Sequence, residues 1–169
     1  TVDAFDTREL HELFAGRYRE AFKAEYLRKF LVRVPTYMAV DDHEFEDNWP
    51  GNAEHLAAND KIASDYMRRF RHGLAAARAY QSSLSQRDGV SSAYGRSDNG
   101  LWHTFVSAGI PYFVMDTRTE RTLRSAGETL SSAKLVCDRQ FSALCKWLTN
   151  APADMPKFVV CGSVLAPVN

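Results

Sequence analysis

Five carboxylates, one imidazole and one carboxamide fall within eight consecutive residues, Asp41-Asp42-His43-Glu44-Phe45-Glu46-Asp47-Asn48. They follow Pro35-Thr36-Tyr37-Met38-Ala39-Val40, whose apolar character predicts a buried strand ending near Val40. Oxygen and nitrogen ligands gathered at a strand's carboxyl end are how an α/β protein builds a metal site or an acid–base site. Asp42 and His43 are adjacent, so on an extended or turning backbone their side chains diverge. One can ligate a cation while the other addresses a substrate held by that cation. Hydrolysis of a phosphate ester needs this division: metal ions neutralise the phosphoryl oxygens and activate water, and a neighbouring acid protonates the leaving oxygen. Histidine is the side chain best suited to release a proton near neutral pH.

The competing explanation is structural. An acidic run after a strand is commonly a solvated loop or a first helical turn, where carboxylates favour the positive end of the dipole. On that view the chain is a noncatalytic α/β domain whose turn is structural or holds one cation loosely. Two metal motifs are excluded. The run lacks the Asp-x-Asp-x-Asp-Gly order and the twelfth-position Glu of an EF-hand, and His43-Glu44 has no second His one turn later as a zincin helix requires.

The elements that must position this cluster follow from periodicity and punctuation. From Asp6 to Leu31 apolar residues recur at spacings of three and four, predicting one amphipathic helix or two in succession, with Asp6 and Glu9 as a capping box and Gly16 as a point of bending. Pro35 ends the helix. Trp49-Pro50-Gly51-Asn52 is turn chemistry, and a helix with one apolar face is predicted from about Asn59 to Leu84. A polar loop to Gly100 leads into Leu101 to Ser107 and Ile110 to Met115, which read as a hairpin closed by Ala108-Gly109. Ser131 or Ser132 can cap a further helix ending near Asn150, and Lys157 to Gly162 is a continuously apolar strand suited to burial on both faces. Alternating helices and strands give an α/β class with a central mixed sheet flanked by helices.

Composition narrows the partners. Twenty-one basic residues balance twenty-one acidic ones, so no global positive field suggests nucleic acid or anionic lipid. No apolar run reaches the roughly 20 residues that cross a bilayer. The three cysteines, Cys137, Cys145 and Cys161, suit small buried hydrophobes better than a disulfide framework, which favours a reducing, cytoplasmic setting. A leader upstream of Thr1 would redirect the chain to the periplasm or outside. Among the other chemical residues, Asp116 and Arg118 end a strand: Arg118 can present its planar fork to an anionic substrate, or the pair can simply hold the loop. Arg121 carries the same two readings. His103 reads as a structural histidine, and His11, His55 and His72 as solvent-facing. The helically spaced aromatics Phe14, Tyr18, Phe22, Phe30, Phe70 and Trp147 read as core.

Pro35-Thr36-Tyr37-Met38-Ala39-Val40-Asp41-Asp42-His43-Glu44, followed by Asn48-Trp49, resembles the central signature of the alkaline phosphatase D family of metallophosphatases. Phe113 to Arg121 is similar to that family's strand ending in Asp-x-Arg-x-x-Arg, and Lys157 to Val164 to its later strand before Ser-Val. The resemblance implies metal-dependent hydrolysis of phosphate mono- or diesters on a metallophosphoesterase-like sandwich. It implies divalent or trivalent ions, among iron, calcium, manganese and zinc, and a small phosphate ester as substrate. Asp42, with Asp41 beside it as a further ligand or as the group that orients it, would hold metal. His43 would donate the proton or contact phosphate, Glu44 would orient the turn, and Asn48 and Arg118 would bind substrate. Val40 stands where the family often has Trp. The upstream Gly-Asp and downstream Gly-Asp-x-His segments that complete such a site are not in this sequence, so residues 1–169 read as one domain, the middle portion of a longer catalytic domain.

Overall fold

The computed structural model describes residues 7–47, 49, 61–82, 101–121 and 134–163. The amphipathic pattern at the start resolves into two helices, α1 (Thr7–Lys23) and α2 (Glu25–Leu31). The break falls at Ala24, with ψ 117, and not at Gly16, through which α1 continues. A single glycine costs a helix only about 1 kcal/mol, which neighbouring packing overrides. The far side of the break corrects the sequence reading: no residue of α2 is buried, and Tyr26 and Phe30 face solvent. Only α1 uses its apolar stripe, against α3 (Lys61–Ala77), which widens into a π turn over Arg78–Ser82. Tyr18 of α1 stacks on Tyr80 there, with centroids 5.1 Å apart.

Residues 35–41 form no ladder and belong to no regular element, which corrects the expected strand. A strand exists only where a second backbone supplies its hydrogen bonds. Here the segment is held by side chains: Tyr37 stacks on Phe105 at 3.6 Å, and Val40 enters a core with Phe45, Trp49, Met67, Phe70 and Ala77. The hairpin forms as expected from β1 (His103–Ser107) and β2 (Ile110–Val114), antiparallel, with His103 opposite Val114 and Ser107 opposite Ile110. Ala108 (φ 50) and Gly109 (φ 82) both take left-handed backbone, the geometry of a two-residue hairpin turn.

From β2 the chain crosses through α4 (Asp138–Asn150) to β3 (Phe158–Val160), which pairs parallel with β2. The fold is α/β, with a mixed sheet of order β1-β2-β3. A second core of Trp102, Phe113, Met115, Ala143 and Trp147 joins the sheet to α4. The Ser131 or Ser132 cap lies outside the described residues. α4 starts at Asp138, and the Cys137 sulfur accepts the Gln140 N–H. Two further expectations are corrected. β3 lies at the sheet's edge with all three residues exposed, so its apolar run is not buried on both faces. The three cysteines are free thiols, as expected, but Cys145 is exposed and Cys137 half-buried, and of the three Cys161 packs, half-buried, against the second core.

Candidate active site

The acidic turn is shaped by its own backbone and gripped from below. The N–H groups of Phe45 and Glu46 both donate to the Asp42 carbonyl, at 2.8 and 2.9 Å, and Trp49 N–H donates to Glu46 O. This helical winding sends Phe45 and Trp49, four residues apart, to one side. Trp49 is fully buried, stacked 3.9 Å from Tyr66 and 5.1 Å from Phe70. Gly73 of α3 makes the seating close: a Cβ there would lie 2.7 Å from Glu44 O and 2.8 Å from the Phe45 ring. Glu44 locks the entry to the turn, accepting from the Asp41 N–H at 2.9 Å and from Gln81 at 2.7 Å.

With the aromatic residues turned inward, the polar ones converge outward. Asp42 is 7% exposed, and its Oδ1 accepts the His43 N–H at 3.0 Å and contacts His43 Nδ1 at 2.8 Å. His43 itself is exposed, with Nε2 3.3 Å from Asp47 Oδ1. One donor atom each from Asp42, His43 and Asp47 lies within 4.8 Å of the others. Two carboxylates and an imidazole suit a hard or borderline cation, so this donor set fits a metal ion. The hydrogen bond to Asp42 raises the His43 pKa above its ordinary value, followed by the charges of Asp42, Asp47 and Asp41.

Two other segments reach the same rim. Arg118, just past β2, donates from Nε to Asp41 Oδ1 at 2.7 Å and from Nη1 to Trp49 O at 3.3 Å, while its Nη2 stands 4.0 Å from Asp42 Oδ2. Asp41 is thus engaged by a guanidinium and stands apart from the three-donor group. Gly162, just past β3, lets Asp41 lie against the chain: a Cβ there would sit 3.1 Å from the Asp41 carboxyl and from Val40 O. Ser163 bonds Thr117 at 2.9 Å and receives Arg121 Nη2 at 3.0 Å. Burial and the nearby Arg118 charge lower the Arg121 pKa.

The Arg118 guanidinium goes to Asp41 and Trp49 O, in contrast to the Asp116–Arg118 side-chain pair of the structural alternative, and Arg118 meets the Asp116 carboxylate through its backbone N–H. Asp116 accepts the N–H groups of Leu101, Arg118 and Thr119 and the Thr119 hydroxyl. Gln140 then clamps its backbone, accepting Asp116 N–H at 3.0 Å and donating to Asp116 O at 2.9 Å. Asn48 lies outside the described residues. In the sequence Asp47 stands out only as one of the run's five carboxylates, and Gln140 does not stand out at all. The four-residue spacing of His43 and Asp47 is a signal for the former once the turn is known to be helical, whereas nothing marks Gln140.

A family model described as PhoD-like phosphatase matches residues 4–163. Comparison with curated proteins and with solved structures finds no significant match. No helix among the described residues is long and apolar enough to cross a membrane.

Proposed function

This chain belongs to the PhoD-like phosphatase family, and on that premise we propose that its acidic turn serves metal-dependent hydrolysis of phosphate mono- or diesters. The observation that carries the proposal is the convergence of Asp42, His43 and Asp47 donor atoms within 4.8 Å on a turn whose imidazole is exposed. A divalent or trivalent cation held by Asp42 would supply charge neutralisation and water activation. The residues of the chain do the rest. Asp42 Oδ1 fixes the His43 ring through Nδ1, leaving Nε2 to hold the transferable proton. Water adds to phosphorus and gives its proton to solvent. The bond to the leaving oxygen breaks as His43 Nε2 protonates that oxygen, and solvent then reprotonates the ring. Arg118 is held by Asp41 and Trp49 O so that its guanidinium edge stays near Asp42, where it can steady an anionic phosphoryl group.

Hard cations take six or more ligands, and with the His43 ring kept for the proton this turn offers two carboxylates, Asp42 and Asp47. We therefore propose that the chain is the central part of a longer catalytic domain whose flanking segments complete the coordination. The test uses the product of the full reading frame. It is expected to bind two or more metal ions and to hydrolyse p-nitrophenyl phosphate or its bis ester. His43→Ala should lower kcat by about 10²–10⁴, the usual worth of a general acid, with the fold retained as read by circular dichroism. Absence of metal binding under iron, calcium, manganese and zinc would overturn the proposal.

A further inference from the structure

Between α1 and the acidic turn lies a cleft of about 520 Å³, within the size range of small-molecule pockets. Leu10, Leu13 and Phe14 of α1 and Phe45 of the turn give it carbon walls, with Arg17 and His43 also lining it. A phosphate ester has two halves with opposite needs. The phosphoryl half is anionic and calls for a cation and guanidinium, whereas the alcohol half departs, and its oxygen must reach the proton donor. His43 is the residue shared by the three-donor group and the cleft lining. A leaving oxygen placed at His43 therefore has its carbon substituent directed along α1.

We propose that this cleft receives the leaving group, making esters of apolar, ring-sized alcohols the preferred substrates; this rests on the hydrolase reading above. Leu13 is 40% exposed, so its carbon surface is available to a ligand and is not spent on the core. The charged groups around the cleft argue against a cationic alcohol. The Glu44 carboxylate is taken up by the Asp41 N–H and Gln81, and Arg69 is paired with Glu46 at 2.9 Å, which leaves Arg17 as an exposed positive charge on the lining.

The test compares 2-naphthyl phosphate with glycerol phosphate on the full reading-frame product, loaded in turn with iron, calcium, manganese and zinc. Intrinsic leaving-group reactivity cancels when a variant is compared with its parent. Leu13→Asp should lower the ratio of the two kcat/KM values by about tenfold, the scale of losing an apolar contact in a pocket, and Leu13→Met should restore it. Leu13→Thr is the milder variant if the aspartate disturbs folding. Independently, 2-naphthol added to metal-free protein should shift the NMR signals of Leu10, Leu13, Phe14 and His43. Hydrolysis with a ratio indifferent to Leu13→Asp overturns the role of the cleft alone. Naphthol binding without hydrolysis of either ester under any of the four metals overturns the hydrolase reading, and the leaving-group role with it.

Discussion

Asp42 and Asp116 are both buried aspartates just beyond an apolar segment, and both face Arg118, yet they have opposite commitments. Asp116, 1% exposed, gathers three backbone N–H groups and a hydroxyl onto its carboxylate, and Gln140 pins its backbone. Asp42 Oδ1 serves the backbone and ring of its neighbour His43, and Oδ2 stands 4.0 Å from the Arg118 guanidinium. A carboxylate saturated by backbone donors is a structural bracket. One that orients an imidazole at an open rim is, on the proposed function, placed for chemistry. Burial alone does not separate the two; the identity of the donors does.

Exchanging the roles gives the largest expected effect. Asp116→Ala strands three N–H groups around a buried cavity, and at about 1–3 kcal/mol for each unsatisfied group the loss should reach about 3–5 kcal/mol. Asp42→Ala should cost only about 1 kcal/mol, because its short-range partners move with the turn, while metal affinity is lost. Urea unfolding with and without metal measures both. Equal destabilisation by the two substitutions would break the distinction.

Two helical glycines sharpen it at a smaller scale. Gly73→Ala places a methyl 2.7 Å from the Glu44 carbonyl oxygen. Overpacking of about 1–3 kcal/mol exceeds the gain of about 1 kcal/mol from helix propensity. The turn must move, so the variant should lose up to about 2 kcal/mol of stability and a larger share of metal affinity. Gly16 of α1 meets nothing nearer than the end of the Arg19 side chain at 3.8 Å. Gly16→Ala should therefore stabilise by up to about 1 kcal/mol and leave metal binding alone. Thermal unfolding and metal titration of the pair check the contrast.

What the sequence disclosed follows the range of the physics involved. The hairpin is local: Ala108-Gly109 joins two β-rich runs, and two residues permit only antiparallel return. The Asp42-His43 pairing is local too, since adjacent residues on a turn cannot be far apart. Ladder formation is not local, so the apolar 36–40 segment looked like a strand although its contacts are rings and core side chains. The same holds for β3: Phe158, Val159 and Val160 announce a capacity for burial, while sheet order decides whether anything covers them. The break at Ala24 runs against propensity, because alanine is the best helix former. Gln140 reaches Asp116 across 24 residues of chain, and a lone glutamine in a helical pattern carries no sign of that. Asp41 illustrates the same limit, since its Arg118 partner is 77 residues away.

The smallest expected effect carries the contrast from carboxylates to histidines. His43, exposed among Asp42, Asp47 and Asp41, has its pKa raised above the ordinary 6.5, first by the hydrogen bond to Asp42. His72 has its pKa lowered below 6.5, first by burial, then by the charges of His11 and Arg68. Linkage fixes the signs. The stability His43 contributes is fully present below 6.5 and is lost as pH rises through its folded-state pKa, because there the folded chain holds the proton longer than the unfolded chain. The stability linked to His72 is complete above 6.5 and is lost as pH falls below it, because the unfolded chain takes the proton first. The two slopes lie on opposite sides of 6.5, giving a shallow maximum between them in the metal-free protein. His43→Ala should flatten the alkaline limb and His72→Gln the acid limb, as read from unfolding midpoints between pH 5.5 and 8. Histidine NMR titrations should place the two midpoints on either side of 6.5. Coincident midpoints would mean that the imidazole beside Asp42 is no more perturbed than an ordinary surface histidine, and the division between a bracketing and a chemically poised aspartate would lose its electrostatic basis.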